Sequence, residues 1–308
     1  MPKTAYALND IHAKRLLTYD FSIYDYKINL ITDVPVLVNY IKNHYINTPT
    51  VKNPKNITIT LLRGKETYKT LRQDILASGG KIQNNDHYES LFNLKNRSWV
   101  GLVYRNQQTI GYYALFQNTL KTLLKIDGFA FLHASCWAKD RHCVIATGPS
   151  GYGKTTLLIS AAVNGFKIIS DSHTMIGKKG RNTISVTFPY IEGLSRRNNR
   201  KDTLNLLNAG SWESYRVPSL LIFLEKATGW NLRWQAISKP EAAIKLLTSS
   251  VNTFNMEIVN NRAVKNMFNR LNSLALQVKS GILTIGCENI KKELLKRGSL
   301  WKDLQKII

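Results

Sequence analysis

The chain has 308 residues, 44% of them hydrophobic and 10% aromatic, which excludes wholesale disorder and suits one large domain or two modest ones. Its 43 Lys and Arg outnumber 20 Asp and Glu, for a formal net charge of +23. Three cysteines (Cys136, Cys143 and Cys287) are too few for a disulfide framework and too scattered for a zinc site, so a reducing compartment is expected.

In chain order, residues 1–21 lack the apolar run of a signal peptide, and no stretch approaches the roughly 18 apolar residues of a spanning helix. The expectation is a soluble cytoplasmic protein. Residues 1–125 read as an N-terminal α+β region of unknown role. Within it, Ile57–Leu62 and Trp99–Tyr104 read as strands, 106–109 as a polar turn, and Thr119–Lys125 has apolar residues at helical spacing. There is no internal repeat, low-complexity tract or Pro/Gly-rich linker. Residues 126–308 are expected to form a second domain.

That second part is more legible. His142–Thr147 is a short apolar run ending at Gly148, as a buried strand would be. Thr155–Asn164 reads as a helix, with Asn164-Gly165 as its stop, and Phe166–Ser170 reads as a second strand ending at Asp171. Strand, glycine loop, helix and strand make a βαβ unit.

The loop Gly148-Pro149-Ser150-Gly151-Tyr152-Gly153-Lys154-Thr155 fits the pattern G-x-x-x-x-G-K-[ST] of a P-loop. Such a match arises by chance in about 1% of chains of this length, and this one also lies between a strand and a helix, where its mechanism needs it. The glycines let backbone N–H groups cradle a polyphosphate at a helix N-terminus. In that role Gly148, Ser150, Gly151, Tyr152, Gly153, Lys154, Thr155 and Thr156 would contact nucleotide. Lys154 would reach the β- and γ-phosphates, and the Thr155 hydroxyl would ligate Mg²⁺. Asp171 ends the following strand, at the edge where open α/β sheets bind ligands, and can ligate metal or accept a proton. His133, just ahead of a strand hairpin leading into the loop strand, is either a structural histidine or part of the site. Trp230 and Trp234 read as core or hairpin residues rather than as a base-stacking platform.

Together these residues resemble the HPr kinase/phosphorylase family and its wider relatives. His133 lies fifteen residues before Gly148, Asp171 lies seventeen after Lys154, and the loop keeps Ser150-Gly151, all as in that family. The likeness is good over 130–188 and weaker toward the C-terminus, where the strand around Val217–Phe223 and the Leu-rich segment from Pro240 are similar to such proteins generally. It implies a P-loop core of HPr-kinase-like type, a mixed sheet with flanking helices. It also implies an ATP-dependent kinase that moves the γ-phosphoryl group to a hydroxyl, usually serine, of a protein, peptide or small-molecule acceptor. ATP and Mg²⁺ follow as cofactors. Asp171 would be the base, His133 would help set its protonation, and Thr155, Asp171 and Glu192 would surround the metal. Arg196, Arg197 and Arg200 would hold the transferring phosphate or an acidic acceptor, or form a solvated loop.

One departure is plain: Ser172 stands where the family has a second Asp, so one acidic ligand is missing and the reverse phosphorylase reaction is not expected. That departure keeps open an ATP-binding regulatory module that has lost catalysis. The net charge keeps open a nucleic-acid-associated P-loop ATPase. Basic side chains spread evenly, 17 basic and 8 acidic in residues 1–125 against 26 and 12 in 126–308. They therefore read either as solvated surface or as a face for an acidic protein or nucleic acid. Homo-oligomerisation also stays open.

Overall fold

A computed structural model describes residues 16–45, 54–63, 65–77, 81–84, 88–93, 97–103, 110–188, 212–251, 261–295 and 299–305. The chain divides into two compact units, Met1–Asn43 with Pro49–Leu124, and His44–Thr48 with Lys125–Ile308. Both are mixed α/β. No described helix is long and apolar enough to cross a membrane.

The first unit holds a six-stranded sheet. Strands β1 (Leu17–Ile23), β2 (Tyr26–Thr32), β3 (Lys55–Leu62), β4 (Lys81–Asn84), β5 (Tyr88–Asn93) and β6 (Ser98–Val103) run in the order β1-β2-β3-β6-β5-β4. The run β2, β3, β6 is parallel and the outer pairings are antiparallel. Helices α1 (Pro35–His44), α2 (Lys65–Ala77) and α3 (Ile110–Ile126) complete it. Tyr68 and Leu71 of α2 pack with Leu62, Leu91, Val100 and Leu102. Ile57–Leu62 and the 119–125 helical stretch fall within β3 and α3, and 99–103 of the second expected strand fall within β6, whereas Tyr104 and the expected turn at 106–109 lie outside the described residues.

The second unit has a central sheet of order β10-β8-β9-β14-β16-β15. Its strands are β8 (Ala134–Lys139), β9 (His142–Thr147), β10 (Lys167–Ser170), β14 (Leu220–Ala227), β15 (Leu232–Ala236) and β16 (Lys279–Gly286). Strands β9, β14 and β16 are parallel neighbours, and β8 and β15 are antiparallel to theirs. A four-stranded antiparallel sheet, β13-β12-β11-β7, is formed by β7 (Ala130–Leu132), β11 (Thr174–Lys179), β12 (Asn182–Val186) and β13 (Tyr215–Arg216).

Period-2 alternation sends the central strands' side chains to two cores. On one face Val144, Ala146, Ile222 and Leu224 meet Leu157, Leu158 and Ala161 of α4 (Lys154–Val163) and Trp301 of α8 (Ser299–Leu304). On the other Cys143, Ile145, Leu221 and Phe223 meet Leu246 of α5 (Lys239–Val251) and Met267, Leu271 and Leu274 of α6 (Asn261–Gln277). Burial on both faces is why these strands read as nearly continuous apolar runs. Cys136 and Cys143 are accordingly buried among apolar neighbours. Helix α7 (Cys287–Leu295) follows β16 directly.

Two sequence expectations are refined. Strands β9 and β10 flank α4, but they are not neighbours, because antiparallel β8 lies between them. Trp234 packs against the α4-side core and crowds Gly281, whereas Trp230 is 63% exposed and belongs to no core. The chain from β14 to β15 is not a hairpin either, since it crosses β16 to pair on its far side.

Leu158→Ala, which would open a void between α4 and the sheet, should cost about 2–5 kcal/mol of unfolding free energy. Ile244→Ala, on the exposed side of α5, should cost less than about 0.5 kcal/mol. Urea denaturation of both variants checks the contrast.

Candidate functional site

Strand β9 ends at Thr147, and the chain turns through 148–153 into α4. Gly151 (φ 81°) and Gly153 (φ 94°) take left-handed backbone conformations that a side chain would strain. Gly153 is also the N-cap of α4 and has no side chain to occupy the helix's first N–H groups. They are left facing the loop with the positive end of the helix dipole behind them.

Lys154 opens the helix. Its ammonium bends back into the loop and donates to the carbonyls of Gly148 (2.7 Å) and Pro149 (2.8 Å). The side chain is buried, and burial pushes its pKa down to about 8 against the opposing pull of Asp171. Thr155, next along, donates its hydroxyl to Asp171 Oδ1 at 2.9 Å. The end of β10 is thereby tied to the start of α4. Asp171 is fully buried, and its main-chain carbonyl accepts from the Ser135 hydroxyl of β8.

Further hydroxyls are paired on the neighbouring strand ends. Ser170 and Thr174 share a 2.5 Å hydrogen bond, and Thr174 donates to Ala134 O at 3.0 Å. Thr147, the last residue of β9, donates to His133 O at 3.2 Å. His133 is half-buried at the same edge, its ring centroid 5.8 Å from that of His173, which in turn lies edge-on to Phe188. Ser135, Ser170 and Thr174 were not foreseen as site residues. Ser170 ends β10, Thr174 opens β11 and Ser135 lies near the start of β8, so each hydroxyl gains its partner only from the tertiary fold.

The structure thus brings the loop 148–153, Lys154, Thr155, Asp171 and His133 to one edge of the central sheet. Ser150 and Gly151 are exposed there, Tyr152 is half-buried against the core, and Thr156 is buried on α4. Ser172 is half-buried beside Asp171. Glu192, Arg196, Arg197 and Arg200 lie outside the described residues. Among the described residues, no group of three or more His, Cys, Asp or Glu side chains is placed to hold a metal ion. The basic run Lys178–Arg181 is exposed, its lysines ending β11 and Gly180-Arg181 making the turn into β12, and Lys179 lies over the Tyr215 ring at 4.1 Å.

In class terms this is a mixed α/β unit with a glycine-rich strand-to-helix loop whose lysine, hydroxyl and carboxylate meet at the carboxyl edge of parallel strands. No family model and no curated protein matches the chain. Among solved structures it is similar to the Hpr(Ser) kinase/phosphatase from Coxiella burnetii, with a TM-score of 0.31 and 12% identity, over 57% of this chain and 90% of that one. So slight a likeness leaves the functional reading to the geometry of the site.

The shifted lysine gives a pH signature. Between about pH 8 and its ordinary value of 10.5, folded Lys154 has released a proton that the unfolded chain still holds. Its contribution to stability therefore rises with pH through that window. Lys125, buried at the end of α3, is also pushed down to about 8, so bulk pH dependence mixes the two. Comparing wild type with Lys154→Met isolates one. The difference in unfolding free energy should move in favour of wild type between pH 8 and 10.5, and a flat difference would contradict the burial of this charge.

Proposed function

We propose that the loop from Gly148 to Thr155 binds the polyphosphate of ATP, and that the chain is a kinase transferring the γ-phosphoryl group to a hydroxyl acceptor. The observation that carries this reading is the 2.9 Å hydrogen bond from Thr155 to Asp171 beside the buried Lys154 ammonium. Three groups of complementary chemistry converge at a helix N-terminus built to receive an anion. A plain glycine turn has no use for a buried lysine and a buried aspartate at its edge, because each charge costs desolvation free energy.

In this reading Lys154 exchanges the carbonyls of Gly148 and Pro149 for phosphate oxygens, trading neutral acceptors for charged ones. Binding also restores its full charge, since an anionic neighbour favours the protonated amine. Backbone N–H groups of 151–155 orient the phosphates. Asp171 accepts the proton of the attacking hydroxyl, whose oxygen forms the new bond to phosphorus as the bond to the bridging oxygen of ADP breaks. His133, at the same edge, would influence the protonation of Asp171.

Mg²⁺ fits the donor set. Thr155 Oγ1 and the Asp171 carboxylate are two oxygens already side by side, and Mg²⁺ in nucleotide sites takes one or two protein oxygens together with phosphates and waters. Bound there, the ion would neutralise charge on the phosphate oxygens. Glu192 is a further proposed ligand, and Arg196, Arg197 and Arg200 are proposed contacts to phosphate or acceptor. A serine of a protein or peptide is the proposed acceptor class. Ser172 supports a second reading, an ATP-binding module without transfer, because it leaves Asp171 as the one acid of the pair.

The test uses γ-labelled ATP and Mg²⁺ with protein, nucleic-acid and small-molecule fractions of a cell extract. Label should appear in one fraction with wild type and not with Lys154→Ala, and equal labelling by both would refute the loop assignment. Asp171→Asn should keep ATP binding while transfer falls by about 10²–10⁴-fold. Wild-type rates in that variant would remove Asp171 as the base, and ATP binding with no labelled fraction would favour the module without transfer.

A further inference from the structure

The loop has two sides in the sheet. Asp171 lies on the β10 side, so the nucleotide reading, with the γ-phosphate toward Asp171, directs the base the other way, over the ends of β14 and β16. That side is built tightly against the loop. A Cβ on Gly148 would lie 3.0 Å from Leu224 O of β14, and one on Gly153 would lie 3.3 Å from Ile290 Cδ1 of α7.

Residues Thr228–Asn231 cross the end of β16 on their way from β14 to β15. This turn is pinned. Gly286 N donates to Asn231 O at 2.6 Å, Asn289 Nδ2 donates to the same oxygen at 3.0 Å, and Glu288 N donates to Gly229 O at 3.1 Å. Asn231 Nδ2 closes the turn on Thr228 O at 3.0 Å. The approach is so close that a Cβ at Gly286 would lie 2.1 Å from Gly229 O, which excludes any larger residue there. At the tip of this rigid turn stands Trp230, 63% exposed. Asn289, which anchors the turn, is the neighbour of Ile290, which touches the loop at Gly153.

A single exposed apolar side chain needs no explanation by itself. Here hydrogen bonds hold the backbone on both sides of an indole that is left in water, at the end of β16 toward which the nucleotide reading directs the base. We infer that Trp230 is the stacking platform for the nucleotide base, an inference that rests on the nucleotide reading of the loop. A purine laid on the indole would cover apolar surface on both partners at little entropic cost, because the turn is already ordered. Stacking tolerates any flat base, so this platform supplies affinity rather than discrimination between adenine and guanine.

Calorimetric titration of wild type, Trp230→Ala, Trp230→Phe and Lys154→Ala with ATP, GTP and inorganic tripolyphosphate tests this. Trp230→Ala should weaken ATP and GTP by roughly 10- to 100-fold and leave tripolyphosphate within roughly twofold, with Trp230→Phe recovering most of the loss. An equal loss for tripolyphosphate would show a structural role and overturn the inference. So would unchanged ATP affinity in Trp230→Ala while Lys154→Ala abolishes binding, a result that leaves the loop reading standing. Wild type that binds neither ATP nor tripolyphosphate overturns both.

Discussion

The hydrogen bond from Thr155 to Asp171 is the contact on which the site depends. It joins the first turn of α4 to the end of β10, and it does so with a carboxylate that has no access to water. A buried charge is tolerated only where hydrogen bonds and opposite charge replace the lost solvent. Thr155 supplies one such bond, Lys154 supplies nearby positive charge, and Ser135 fixes the backbone that carries the acid. The lysine is held in the same way, by two loop carbonyls in place of water.

The position of Asp171 follows from the insertion of β8. With one strand between them, β9 and β10 lie roughly 10 Å apart at the usual spacing of hydrogen-bonded strands. Helix α4 packs across that interval on the shared core of Trp137, Val144 and Ile168. Its N-terminal turn leans toward β10 far enough for Thr155 to close the distance. The antiparallel strand sets the width of the site.

Much of this was legible in the amino-acid sequence. The strand His142–Thr147, the helix stopping at Asn164-Gly165 and the strand ending before Asp171 follow from apolar runs bounded by glycine, which local physics controls. Gly165 takes the left-handed conformation expected at such a stop. The strand order was not legible, because β8 and β10 pair over some thirty residues of separation and nothing in their composition names a partner. The hydroxyls of Ser135, Ser170 and Thr174 escaped for the same reason, since a serine in a strand gains meaning only once its neighbour across the sheet is known. The exposure of Trp230 was not legible, because tryptophan usually serves a core and the close approach of Gly286 to Gly229, which holds its turn, joins residues distant in sequence.

The topology also explains why one edge gathers so many unlike groups. Parallel strands β9, β14 and β16 all bring their carboxyl ends there, which delivers the glycine loop, the Thr228–Asn231 turn and the start of α7. Antiparallel strands bring their beginnings instead. Ala134 of β8 pairs with Thr147, so His133, the residue before it, arrives at the loop. Leu232 of β15 pairs with Ile285, so the residues before it, Trp230 among them, arrive at the same edge on the far side. A purely parallel sheet would reach this edge only through the loops that follow its strands. By reversing two strands, one on each side of the parallel run, the fold brings to this edge two residues that precede the ladders, His133 ahead of β8 and Trp230 ahead of β15. Among the described residues this edge therefore differs on its two sides, with Lys154, Thr155 and Asp171 toward β10 and the exposed indole of Trp230 toward β15.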